Sequence, residues 1–547
     1  MRRALLAVSV SVILALALPA PAQAQGEAAL PLRPGTVRIG VDGWWSHATD
    51  RFGAATPLAP GLATGAIEPL GRYFGGDSLG TVELPWLAST EADLRTLTGI
   101  TDYGLNLGRS RLTVETSIRH TPIRLDVALS RRFVVGIAIP IVRARTYAFQ
   151  DLPDSTAASR GNVGWNPDLL SAGAFDAYRF EVDAALGALQ QQATSGPAAL
   201  RGQAQATLAQ MQPFVCGLYV LGGGPASSAT SLCWNGASLP AATFLPVVAT
   251  DAGDSIATRL GRTQADYNQL RQQYAGLGVT IPGFTSGYTL PASALDSTDI
   301  RRYESDPAFP LAAETLTTVV RTGLGDIELG GWYQLAAGPR LRSQLGALVR
   351  LGTGTVDRAD NFVDVGTGDG QTDIEISTRN DIVFNPRLWL HAGGRFGIQF
   401  AQTLPRRVSA YWQPYAPAAS LAQVTRTPGS YFALDLVPNW QLDDAFGVGL
   451  GYHYFHQGAT EYAYAGADST TLGLMVPASI LGEGTSITRM RVGAGVTFST
   501  LNRYLEGRTR LPYRVTWSYQ RTFFGLGGQV ERASVMSLAI EAYVRTF

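Results

Sequence analysis

The chain has no lysine. All 43 of its basic residues are arginine, set against 43 acidic residues for a formal net charge of +0. The missing amine excludes P-loop phosphate binding, a pyridoxal Schiff base and the Ser-x-x-Lys pair of penicillin-recognising enzymes. Balanced charge gives no pull toward nucleic acid or an anionic membrane surface. There is no Cys-x-x-Cys, His-Glu-x-x-His or helix-opening Gly-x-Gly-x-x-Gly, so the thiol-redox, zinc-protease and dinucleotide motifs are excluded. Histidine numbers five. The closest pair, His453 and His456, is offset by three, which on a strand puts the rings on opposite faces and makes them poor co-ligands. Beyond the N-terminus no run approaches the roughly 18 uninterrupted apolar residues of a spanning helix. If this chain crosses a membrane, it does so as a closed barrel.

What is present supports that route. Arg2 and Arg3 precede an apolar stretch, Ala4 to Leu18, and Ala22-Gln23-Ala24 supplies small residues for cleavage, so residues 1–24 read as a signal peptide and the mature chain starts at Gln25. At the other end Met536, Leu538, Ile540, Ala542 and Val544 alternate with Ser537, Ala539, Glu541, Tyr543 and Arg545, and Phe547 closes the run. A terminal aromatic on such a strand, behind a secretion signal, is how bacterial outer-membrane barrels end. Phe547 is therefore expected to serve the barrel assembly machinery as a recognition signal. Gly 61 and aromatic 10% suit many strands with aromatic girdles.

Alternation of period two recurs along the chain. It marks strands at Thr36 to Ser46, Arg111 to Ser130, Phe133 to Tyr147, Thr315 to Leu335, Leu341 to Gly354, Thr372 to Phe384, Leu388 to Leu404, Ser430 to Leu442, Phe446 to Tyr454, Thr485 to Ser499, Leu511 to Phe523 and Val535 to Phe547. Stretches between Ala48 and Ser110 could add a pair, for about twelve to fourteen antiparallel strands. Tight links at Arg131-Arg132, Ala337 to Pro339, Asn385 to Arg387 and Asp443-Asp444 alternate with long ones, the asymmetry of short periplasmic turns and long outer loops. The chain thus divides into first strands at 25–147, an insert at 148–314 and remaining strands at 315–547.

The insert loses period two and gains helical spacing. Tyr178, Val182, Leu186 and Leu189 form one stripe, Leu200, Ala204, Leu208 and Met211 a second, with Gly196-Pro197 between them, and Ile256, Leu260, Tyr267 and Leu270 a third. A folded helical unit follows, because a structureless loop of this length is implausible. Cys216 and Cys233, the only cysteines, fall inside it and are expected to form a disulfide in an oxidising compartment. Single apolar stripes need covering, by each other or by the barrel mouth, so the unit is expected to cap or plug the barrel or to stand apart as a module.

The less apolar face of each strand is assigned to the lumen. It carries Arg38 and Asp42, Arg124 and Asp126, Arg342 and Arg350, Asp373, Glu375, Arg379 and Asp381, Arg395, Arg489 and Arg491, and Arg514. Such rows either set up a transverse field that selects solutes or close the lumen with ion pairs. His391 shares the lumen face with Arg395, and a catalytic role for it requires a serine or aspartate partner that the sequence does not place. The loop Asp360 to Asp373 offers carboxylates, but its spacing matches no defined calcium loop and its residues are also turn formers. No metal, cofactor or catalytic residue is assigned.

Three segments carry a family resemblance. Pro122 to Arg143, Gly323-Leu324-Gly325-Asp326-Ile327-Glu328-Leu329-Gly330 and Gly366-Thr367-Gly368-Asp369-Gly370-Gln371-Thr372-Asp373 resemble outer-membrane proteins of the phenol-degradation (MetA-pathway) family, which are similar in turn to the long-chain fatty acid transporter barrels. The resemblance implies an outer-membrane barrel that takes up small hydrophobic or aromatic molecules; a monomer set in lipid is the default expectation. The Asn-Pro-Ala plug signature of the fatty acid transporters is missing from Gly26 to Gly35, and no substrate residue carries over. Two further readings stay open: a closed structural barrel that displays its insert to a ligand or partner, and an outer-membrane hydrolase.

Overall fold

The computed structural model describes residues 34–53, 65–153, 159–223, 231–233, 241–466 and 476–545. The signal peptide and Phe547 lie outside them. Twelve strands form one antiparallel sheet closed on itself. They are β1 (Thr36–Ala48), β2 (Arg111–Ala128), β3 (Phe133–Asp151), β4 in two pieces (Val319–Leu324 and Ile327–Ala337), β5 (Leu341–Leu351), β6 (Asp373–Asn385), β7 (Leu388–Gln399), β8 (Tyr431–Gln441), β9 (Phe446–Gln457), β10 (Ile487–Ser499), β11 (Tyr513–Leu526) and β12 (Ser534–Arg545). Each pairs with its sequence neighbours, and β1 closes on β12 from Thr36↔Arg545 to His47↔Ser534. Closure removes the unpaired strand edge that no lipid could satisfy.

Side-chain alternation sorts the wall. On β1, Arg38, Asp42, Trp44 and Ser46 are buried inward while Ile39, Val41 and Trp45 are exposed. The same division puts Ile123 and Leu125, Ile139 and Ile141, Ile374 and Ile376, Phe396 and Ile398, Val492 and Val496, and Leu538 and Ile540 outside. An exposed apolar band of this extent is intolerable in water and matches hydrocarbon. Phe133, Tyr333, Phe384, Trp440 and Phe446 ring the short-turn rim, where aromatic girdles belong. The turns there are tight. Asp443 Oδ1 accepts from the backbone N–H groups of Ala445 (2.7 Å) and Phe446 (2.9 Å), which fixes the β8–β9 reversal.

All twelve strands read from the alternation are present, with two differences in extent. The run from Leu388 does not continue to Leu404: it stops at Gln399, and Gln402–Arg407 pairs instead with Leu421–Thr427 in a separate three-stranded sheet that also holds Glu461–Tyr464. Alternation survives across the break, which is why the sequence conceals it. Between Ala48 and Ser110 no further barrel strand is added among the described residues. Asp50–Phe52 forms a separate small sheet, pairing on one side with Ile67–Pro69 and on the other with Val530–Glu531.

A second compact unit consists of Gly75–Ser110 and Asp151–Arg302. Its main helices are α1 (Ala88–Thr98), α2 (Asp176–Ser195), α3 (Ala198–Gly222) and α4 (Asp251–Gly276). Gly196 and Pro197 separate α2 from α3, and Thr250 caps α4 by accepting from the Gly253 N–H at 3.2 Å. Tyr178, Val182, Leu186 and Leu189 of α2 and Ile256, Leu260, Tyr267 and Leu270 of α4 are buried, so the apolar stripes are covered within this unit. Tyr178 donates to the Val215 carbonyl at 3.1 Å and ties α2 to α3. Ser255 donates to the Thr98 carbonyl at 2.6 Å and ties α4 to the end of α1.

Cys216 and Cys233 are joined, with Cα atoms 4.9 Å apart. The bridge spans 17 residues, a loop whose closure stabilises a fold by about 3 kcal/mol in the chain-entropy treatment. Replacing both cysteines with alanine is expected to lower the stability of the helical unit by about 2–4 kcal/mol. Hydrogen exchange followed separately in α2–α4 and in the barrel strands checks this, because only the helical amides should lose protection.

Candidate lumenal site

The inner face of the barrel is built from cross-strand pairs. Arg38 on β1 stands directly opposite Asp126 on β2, and its Nε and Nη2 both reach Asp126 Oδ2, at 2.8 and 2.6 Å. Arg350 on β5 lies between two strands and pairs with both, reaching Glu328 on β4 and Asp373 on β6 at 3.0 Å each. Arg514 on β11 pairs with Glu541 on β12 at 2.5 Å. Arg395 on β7 reaches Asp435 on β8 at 3.2 Å, and His453 on β9 meets the other oxygen of that carboxylate at 2.8 Å. Arg124 lies 3.9 Å from Asp42. Tyr431 donates to Glu375 at 2.6 Å. The ion pairs join neighbouring strands and so run along the wall, whereas Tyr431 on β8 reaches past β7 to Glu375 on β6.

Arg342 stands at the short-turn end of β5 opposite Asp381 on β6. Asp381 is buried and bonds His391 Nδ1 at 2.7 Å. Here is the partner that the sequence could not place for His391. No serine hydroxyl bonds this imidazole among the described residues, so a nucleophile, base and orienter are not assembled. His453 faces inward and His456 outward, where it meets Thr488.

A cavity of about 70 Å³ opens among strands β2 to β8. Arg124, Asp126, Glu328, Arg350, Glu375, Arg379, His391, Arg395 and Asp435 line it together with Trp332, Leu348 and Ile137. Trp332, on β4, is its one large aromatic. Its indole crosses β5 because Gly346 stands directly opposite: a Cβ there would lie 2.7 Å from Trp332 Cδ1 and 2.6 Å from Ser377 Oγ. A Cβ at Gly330 would meet Trp332 Cη2 at 2.7 Å, and one at Gly136 would meet its Cζ3 at 3.0 Å. Three glycines thus form a flat bed for one ring. Above the ring, at 5.4 Å, lies the guanidinium carbon of Arg379.

The alternation had placed Arg124, Asp126, Arg350, Glu375, Arg379 and Arg395 on the inner face without saying that they share one cavity. Glu328, Trp332 and Asp435 were not singled out. Glu328 and Trp332 lie just past the break at Gly325-Asp326, which obscures the parity of β4. Asp435 was readable, since it alternates with the outward Phe432, Leu434 and Leu436.

The break in β4 is stitched by the loop between β5 and β6. Asp326 Oδ1 accepts from the Gly354 N–H at 2.8 Å and Oδ2 from the Asp369 N–H at 3.1 Å, while Thr367 donates to the Leu324 carbonyl and Thr353 to that of Gly325. The loop carboxylates considered above for calcium have other partners: Asp360 pairs with Arg407 at 2.7 Å and Asp364 with Arg321 at 2.6 Å. Asp369 is buried, and burial together with the carboxylates of Asp373 and Asp326 pushes its carboxyl up to about 7. A value raised in the folded loop means that the loop keeps a proton the unfolded chain releases near pH 4. This contribution is therefore full below about pH 4 and is lost as pH rises through about 7. Opening of Gly366–Gln371, read by hydrogen exchange corrected for intrinsic rates, is expected to increase at least about tenfold between pH 5 and pH 8. Asp369→Asn should abolish that dependence.

The closed wall, the apolar band and the polar interior decide the class. The chain is a transmembrane β-barrel of the outer-membrane type. No family model and no curated protein matches the sequence. Among solved structures it is similar to an outer-membrane channel from Pseudomonas putida F1, at 7% identity and a TM-score of 0.39, over 95% of this chain and 99% of that one. It is also similar to the toluene transporter TbuX of Ralstonia pickettii, at 10% identity and a TM-score of 0.29, over 94% and 90%, and to the toluene transporter TodX of P. putida, at 9% and 0.26, over 95% and 94%. Values of this size leave the function of the barrel to its own residues.

Proposed function

We propose that the chain is a bacterial outer-membrane channel for passive or facilitated uptake of small molecules, aromatic or otherwise hydrophobic, with its helical unit controlling access. The observation that carries this reading is the partly open cavity inside the closed barrel, where charged side chains surround the aromatic surface of Trp332. Ion pairs that run between neighbouring strands stiffen the wall and leave this space open. Lipid, the barrel assembly machinery and a small-molecule substrate are the partners, and a monomer is the working unit.

Conductance in planar bilayers and uptake of labelled phenols, alkanes and fatty acids by cells producing the protein test the reading. Folded protein that neither conducts nor supports uptake sinks it. Excising Asp151 to Ile300 with a short Gly-Ser replacement tests control of access: a leakier pore is expected, and unchanged permeability refutes gating. One observation favours the alternative of a displayed binding module, namely that Phe180 and Leu170 of the helical unit are 75% and 61% exposed. Loss of ligand or partner capture on Phe180→Ser, with uptake intact, would favour that alternative.

A further inference from the structure

Apart from Arg342 at the short-turn rim, the arginines named on the lumen face fall into two groups. Arg38, Arg124, Arg350, Arg395 and Arg514 each have a carboxylate within 4.0 Å. Arg379 on β6 and Arg489 and Arg491 on β10 have none among the described residues at that distance. Arg491 is buried, and its Nε donates only to Thr522, at 3.3 Å. Nη2 of Arg489 is buried with no hydrogen-bond partner. The acid nearest to Arg489 and Arg491, Glu531, acts on both from beyond ion-pair distance and accepts a hydrogen bond from Thr116 at 2.9 Å.

Two of the three lie over aromatic rings, Arg379 over Trp332 at 5.4 Å and Arg489 over Phe455 at 5.0 Å. A cation–π contact contributes about 0.5–2 kcal/mol, less than the several kcal/mol lost when a guanidinium leaves water without a counter-charge. Neither guanidinium donates a hydrogen bond among the described residues, and the N–H edge of a guanidinium is a fork shaped for a carboxylate. Arg489 lies near the start of β10, on the long-loop side, and Arg379 lies midway along β6, so the two positions occupy different depths.

We infer that the lumen binds and passes small organic monoanions, an aromatic or aliphatic body carrying one carboxylate, with Arg489 and Arg491 as the outer station and Arg379 over Trp332 as the inner one. The inference deepens the channel reading and rests on it. Phosphates and other dianions fit less well, because Asp126, Glu328, Glu375 and Asp435 share the cavity with Arg379 and repel a second negative charge. The apolar body has Trp332 and Leu348 at the inner station and Phe455 and Tyr431, 5.7 Å apart, at the outer one.

The full mature protein in planar bilayers, under a tenfold gradient of sodium benzoate at pH 7.5, tests this directly. A reversal potential of anionic sign is expected, with a benzoate-to-sodium permeability ratio above about 3. That ratio should drop at least about threefold in Arg379→Gln and in Arg489→Gln/Arg491→Gln. Arg379→Lys should keep the sign of selectivity, since it retains the charge, while weakening benzoate block of chloride current, since it loses the fork. Heat-modifiable gel migration confirms that each variant is folded. Cation preference, or variants indistinguishable from the parent, overturns the inference. Uptake of labelled phenol by cells without benzoate current overturns the inference alone, whereas loss of both overturns the channel reading with it.

Discussion

Asp126→Asn is expected to destabilise the folded barrel by about 3–5 kcal/mol, the range for removing one partner of a buried ion pair. Asp126 is fully buried and Arg38 is 7% exposed. Two of the guanidinium nitrogens of Arg38 converge on one carboxylate oxygen. An amide of the same shape can still accept a hydrogen bond, so what the substitution removes is the charge, and Arg38 is left with only the more distant Glu541, already paired with Arg514, to balance it. The pair also sits at the seam that β1 makes with β2, immediately beside the closure of β1 on β12, where a weakened contact favours opening of the wall. The measurement is the denaturant midpoint for loss of heat-modifiable migration in lipid vesicles. A companion variant guards against a general packing effect: Arg38→Met/Asp126→Leu removes both charges and should recover most of the loss. If the single and double variants are equally unstable, the charge is not the cause.

Trp332→Ala should open the lumenal cavity and raise single-channel conductance, at a stability loss of about 3–5 kcal/mol for a truncated buried aromatic. Its converse is Gly346→Ala. The added methyl group would stand 2.7 Å from the indole, so the ring must be pushed off its glycine bed into the open space. Conductance should fall, with about 1–3 kcal/mol of overpacking strain. Combining the two tests the geometry more sharply than either alone. Once Trp332 is alanine the methyl group at position 346 has only Ser377 to displace, so the strain from Gly346→Ala should mostly vanish and the two effects should be strongly non-additive. Additive losses would mean that the indole does not lie across Gly346.

Much of the barrel was legible because a strand between lipid and lumen must alternate. Ile374, Ile376 and Phe396 could face only hydrocarbon, and Asp373, Glu375 and Arg395 could not. Helices in the insert were legible for the corresponding reason at period 3.6, as in the stripe of Tyr178, Val182, Leu186 and Leu189. The sequence misled where alternation continued through a change of partner. Phe400 to Leu404 keeps the phase of β7 yet leaves the barrel, since period two records which face a side chain takes and is silent about which strand lies alongside. The break at Gly325-Asp326 did the opposite, shifting phase within one strand and so hiding Glu328 and Trp332.

The sequence by itself determined the architecture: antiparallel strands of a barrel, a lumen lined with arginine and carboxylate, and a helical insert. These follow from local periodicity and composition, which each segment carries alone. Only the tertiary structure decided how the charges are spent. Arg38, Arg350 and Arg395 have neighbours on adjacent strands that neutralise them, while Arg379, Arg489 and Arg491, identical in pattern, do not. Register makes that difference, because a shift of one pair moves a carboxylate out of reach, and register is set jointly by turns and partners far apart in the chain.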